Sequence, residues 1–68
     1  MSDIKVGDRV EIEGDSQDYI LVDPHKTYAG EVISREGGQI LVRLDHPVVR
    51  GVNEFHEVTV PETRARHS

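Results

Sequence analysis

Sixty-eight residues without a cysteine exclude a disulfide framework and thiolate-bound structural zinc, and a chain this short buries only about 60% of the surface its unfolded form exposes. Eight Lys and Arg against thirteen Asp and Glu give a formal charge of −5, the wrong sign for affinity built on phosphate neutralisation, so nucleic acid is not an expected partner. No stretch approaches the roughly 20 apolar residues of a membrane span and the first residues carry no apolar signal core, so the expectation is one soluble cytoplasmic domain without membrane contact.

The first strand is expected over residues 6–13, because Val10 and Ile12 alternate with Arg9, Glu11 and Glu13 at the period of two of a half-buried strand. Gly7-Asp8 suits a tight turn ahead of it. Over residues 14–27 the alternation dissolves into Gly-Asp-Ser-Gln-Asp, an apolar island at Tyr19-Ile20-Leu21-Val22, and Asp23-Pro24-His25-Lys26. This reads as one long loop or ribbon, its island either packed on the mouth of the domain or paired as an edge strand. Glu11, Glu13, Asp15, Asp18 and Asp23 run without an intervening base; they are either a solvated edge that keeps the domain soluble or a docking face for a basic partner.

A second strand is expected over residues 28–35, with Gly30, Val32 and Ser34 on one face and Ala29, Glu31 and Ile33 on the other, either of which could face inward. Glu36-Gly37-Gly38 supplies the positive-φ residues of a hairpin, and residues 39–44 resume with Ile40, Val42 and Leu44 on one face. Asp45-His46-Pro47 should break that strand, Gly51 marks a turn, and Phe55, Val58 and Val60 offer one more short strand before Pro61. Residues 62–68 have no apolar pattern and are expected to fray, which sets a domain over 1–61 and a tail over 62–68. With no helical period and no repeat, the pattern is all-β: four to five short antiparallel strands in a small closed or nearly closed barrel, since closure protects sheet edges.

The polar residues do not assemble a catalytic set. Gly14-Asp15-Ser16 sits in an acidic loop without an oxyanion turn or a general-base partner, and Asp45-His46 are adjacent in a strand and so point to opposite faces. His25, His46, His56 and His67 never fall at a metal-ligand spacing. Gly37-Gly38 is too short for a phosphate loop. No catalytic residue, metal ligand or cofactor is expected. The aromatic residues are Tyr19, Tyr28 and Phe55; Phe55 reads as core, and the two tyrosines flanking the long loop as a modest contact surface. Val48 and Val49 are adjacent in a connection, so alternation cannot bury both, and Arg50 beside them could anchor a carboxylate bidentately. Tyr19, Tyr28, Val48, Val49 and Arg50 are therefore the candidate partner-binding residues.

Val42-Arg43-Leu44-Asp45 followed by Gly51-Val52-Asn53 and Phe55, together with the run from Val6 through Gly7, Asp8, Arg9, Val10 and Glu11 to Ile12 and the step Gly30-Glu31-Val32, resembles photosystem I subunit IV, a small SH3-like barrel. Barrels of this kind include the variable chain of ferredoxin-thioredoxin reductase, the β subunit of nitrile hydratase and the type II dihydrofolate reductases; Gly7-Asp8-Arg9-Val10 and His46-Pro47 look like segments of the last. The resemblance implies an SH3-like barrel that serves a larger assembly or a homo-oligomer. The functional expectation is a non-catalytic protein-interaction or accessory module, acting on a protein partner or by self-association. The alternative is a homo-oligomeric small-molecule-binding protein or enzyme with an inter-subunit pocket, resembling type II dihydrofolate reductase.

Overall fold

The computed structural model describes residues 4–68. Strands β1 (Arg9–Glu13), β2 (Thr27–Glu36), β3 (Gln39–Arg50) and β4 (Asn53–Pro61) are followed by a single 3-10 turn (Glu62–Arg64) and β5 (Ala65–His67). All neighbours are antiparallel, in the order β4-β3-β2-β1-β5. The fold is all-β, as the alternation requires. The hydrogen-bonded ladder is open, with β4 and β5 as its two edges.

β1 begins later than expected, at Arg9, because residues 5–8 form a turn in which Asp8 N–H donates to Lys5 O and Lys5 N–H donates to the Asp8 carboxylate. That turn still extends the sheet: Gly7 N–H donates to Val32 O at 2.7 Å and Val32 N–H to Asp8 O at 2.9 Å. Of the two faces open for β2, the structure selects the one carrying Tyr28, Gly30 and Val32 as the inward face. Gly30 is required there, since a Cβ would lie 2.3 Å from Arg43 O. The β2–β3 connection is the two-residue turn Gly37-Gly38, both at positive φ (59° and 81°), the backbone pairing that matches the twist of the flanking strands.

Two further expectations change. β3 was expected to stop near Leu44 but runs twelve residues to Arg50. Asp45-His46-Pro47 interrupts its pairing without ending it: the β2 ladder stops at Leu44, and the β4 register jumps from Arg43↔Glu57 to Val48↔Phe55. Proline ends a ladder by lacking a donor, yet its φ is compatible with extended backbone. Residues 62–68, expected to fray, instead turn through Glu62–Arg64 and pair with β1 as Val10↔His67, Glu11↔Arg66 and Ile12↔Ala65. Apolar periodicity cannot report such a strand, because its side chains Arg66 and His67 meet carboxylates of Glu11, Glu13 and Asp8 and only Ala65 touches the core.

Twelve apolar side chains form one core cluster drawn from every strand but β5, with Ile4 and Leu21 from outside the strands. Leu21 is the centre of the apolar island, so the island packs inward through that residue and does not pair as an edge strand.

Candidate functional site

The loop over residues 14–26 is built by its own carboxylates. Asp15 accepts Gln17 N–H, Asp18 accepts the N–H groups of Ile20 and Leu21, and Asp23 accepts His25 N–H. These are the local side-chain to backbone bonds through which aspartate makes turns. Asp15 N–H donates to Leu21 O at 2.8 Å, closing the loop on itself as Leu21 enters the core. Much of the acidic run is thus committed to folding, and Glu11 and Glu13 pair with Arg66.

Two arginines from distant parts of the chain clamp this loop to the sheet. Arg64, in the 3-10 turn, donates to the Asp18 carboxylate at 2.7 Å and to Glu13 O at 2.9 Å. Burial opposes ionisation of Asp18, but the Arg64 guanidinium and the N–H groups of Ile20 and Leu21 outweigh it and hold the carboxyl below the usual aspartate range. Arg50, at the end of β3, donates to Ile20 O at 2.6 Å and to Val49 O at 3.0 Å. Its planar fork therefore bridges two backbone carbonyls; the sequence pointed to a carboxylate. Arg50 Nε is buried and makes no hydrogen bond.

Clamped in this way, Tyr19 stands edge-on to Phe55 of β4, ring centroids 6.0 Å apart at 89°, a favoured aromatic geometry. Tyr19 is 67% exposed while Phe55 is half-buried. Phe55 pairs with Val48, so the aromatic pair sits over the inward face at the outer end of the β3–β4 hairpin.

The five candidate residues do not form one surface. Tyr28 and Val48 are core residues, each only 8% exposed. Val49 is 58% exposed, but it pairs with Glu54, one residue out of phase with Val48↔Phe55, and so occupies the opposite face of the hairpin from the Tyr19 and Phe55 rings. Arg50 reaches the loop that carries Tyr19, at the neighbouring Ile20 O. Phe55, expected in the core, is half-buried and braces Tyr19. No local signal in the sequence could have found it, because the contact spans two elements joined only by the fold.

A second feature lies on the other side of the Val48 side chain. Lys26, Thr27, Tyr28 and Ala29 face Leu44, His46, Pro47 and Val48 across a groove of about 190 Å3. Lys26 Nζ sits 5.4 Å from the centre of the Tyr28 ring. Beside the groove, the Arg9 guanidinium grips both oxygens of Asp45, one at 2.8 Å; this bidentate bond holds the Asp45 carboxyl below its ordinary range. A polar hollow of about 390 Å3 between residues 13–15 and 63–66 is the space around the Arg64 clamp. Among the described residues no group of three or more His, Asp or Glu side chains converges as a metal site, and no helix is long and apolar enough to cross a membrane.

Comparison with protein families, with curated proteins and with solved structures returned no match.

Proposed function

We propose that the chain is a non-catalytic protein-interaction or accessory module on an SH3-like scaffold, and that it contacts its partner through Tyr19 and the loop that carries it. The observation that carries this reading is Tyr19 itself: a large aromatic side chain, 67% exposed, on a loop held by Asp18–Arg64 and by Arg50 to Ile20 O, with its ring braced by Phe55. Folding gains little from leaving such a ring in water. Binding gains a good deal from a ring already in place, because ordering costs fall on the free partner alone. The net charge of −5 favours a partner whose apolar contact residue is flanked by Lys or Arg.

Selection from a displayed random-peptide library tests the reading. The expected result is enrichment of sequences combining a basic and an apolar residue, with binding weakened by salt and lost in Tyr19→Ser. Absence of enrichment, or enriched peptides that bind Tyr19→Ser equally well, would remove this surface as the contact site.

A further inference from the structure

The core is sealed everywhere except at one place. Its side chains are 0 to 4% exposed apart from Tyr28, Leu44 and Val48, at 8%, 7% and 8%, and all three line the groove between the start of β2 and the middle of β3. The opening has a cause in the register: four residues of β3, from Leu44 to Pro47, stand opposite the single residue His56 of β4, so β3 swings out beyond the last β2 pair, Gly30↔Leu44. Pro47 stiffens one wall by fixing φ and offering no donor.

The rim of this apolar groove carries Lys26 and His46 and no acidic residue, in a chain with an excess of carboxylates. The arginines are all taken up: Arg9, Arg35, Arg43, Arg64 and Arg66 each face a carboxylate, and Arg50 binds carbonyls; the other lysine, Lys5, lies away from the groove in the turn before β1, beside Asp8. Among the described residues Lys26 enters no ion pair; its ammonium rests over the Tyr28 ring at the edge of the groove, with its three donors open to a ligand. An apolar floor with an uncompensated cation at its lip matches one ligand chemistry, a short apolar body ending in a carboxylate. The volume, about 190 Å3, falls below the roughly 300 Å3 at which sites for drug-sized molecules begin, and so limits the ligand to a single small group.

We infer that this groove binds a small free monocarboxylate with an aromatic or branched aliphatic body, the carboxylate on Lys26 and the apolar part against Tyr28, Leu44, Pro47 and Val48. This site is separate from Tyr19 and does not depend on the interaction reading. Amide-resolved NMR titration of the full chain with phenylacetate and 4-methylpentanoate provides the test. Saturable shifts are expected at residues 26–29 and 44–48, with the neutral phenylacetamide and the Lys26→Met variant each binding roughly tenfold more weakly, as loss of one charge-assisted contact implies. Shifts scattered over the surface, or equal binding by phenylacetamide, would overturn the proposal. So would a peptide with a free C-terminal Phe that binds more than tenfold tighter than phenylacetate, since the occupant would then be a chain terminus.

Discussion

The β2–β3 and β3–β4 hairpins share strand β3 and turn over two residues each, Gly37-Gly38 and Gly51-Val52, yet they treat extra residues differently. The first absorbs one, Ile33, between the pairs Val32↔Val42 and Ser34↔Leu41, and its ladder then continues to Gly30↔Leu44. The second must place four residues of β3 against one of β4 between Arg43↔Glu57 and Val48↔Phe55. A one-residue bulge bends and twists a sheet without opening it. A four-residue excursion lifts the strand away, and the consequences gather there: the three least buried core side chains, the groove, and the outer hairpin arm on which the β1–β2 loop rests. The features that look functional lie where regular pairing fails, and the regular hairpin is occupied with folding.

The largest effect is expected at Gly30, where β3 leaves no room on β2 for a side chain. Gly30→Val should abolish folding, because its Cβ alone would approach Arg43 O to 2.3 Å and Val42 Cγ1 to 2.7 Å; far-UV circular dichroism during a thermal ramp would register the loss of the cooperative transition. Next in size is the contrast between core positions of the two hairpins. Ile40→Ala, fully buried beside the glycine turn, should cost about 2 to 5 kcal/mol by urea denaturation. Val48→Ala should cost distinctly less, since its site already opens to the groove and water can follow the lost methyl groups.

A smaller effect sharpens the role of the loop. Arg50→Lys removes the planar fork that spans Ile20 O and Val49 O; faster amide exchange at Leu21 and Asp15, with the β2–β3 amides unchanged, is the expected pattern. Acid should act on the same loop. Asp18 is held below its ordinary pKa in the folded chain, so its contribution is complete above the unfolded value near ~4 and is lost as pH falls through the depressed folded value. Asp18→Asn should flatten the stability profile below about pH 4, with little further change above it. Smallest of all, Val49→Ala and Val52→Ser should stay within about 0.5 kcal/mol of the parent, as both side chains stand in solvent.

Much of the sheet was readable from the sequence because alternation reports side chains that face an apolar interior. Val10 and Ile12, Ile40 and Val42, and the Gly37-Gly38 turn all lie where each local preference agrees with the final packing. β5 was invisible for the opposite reason: Arg66 and His67 answer to carboxylates of β1 and of Asp8 in the turn before it, and Ala65 is its one residue against the core. The loop over residues 14–26 showed its acids plainly, but charge on the page does not distinguish an aspartate that caps a backbone N–H from one that waits for a partner. At the candidate site Tyr19 was readable as an exposed aromatic and Arg50 as an anchor. That Arg50 binds carbonyls, that Tyr28 and Val48 lie in the core, and that Phe55 supports Tyr19 are consequences of register between distant segments, which no local pattern encodes.

The preformed contact surface depends on one contact more than on any other, the seating of the β1–β2 loop on the β3–β4 hairpin. Nuclear Overhauser spectroscopy of the free chain measures it directly. Cross-peaks between the Tyr19 and Phe55 ring protons, together with slow exchange of the Asp15 amide that donates to Leu21 O, are the predicted result for rings 6.0 Å apart. A Tyr19 ring with no cross-peak to Phe55 and an Asp15 amide exchanging at the rate of an open chain would contradict it, and the preformed contact surface would go with it.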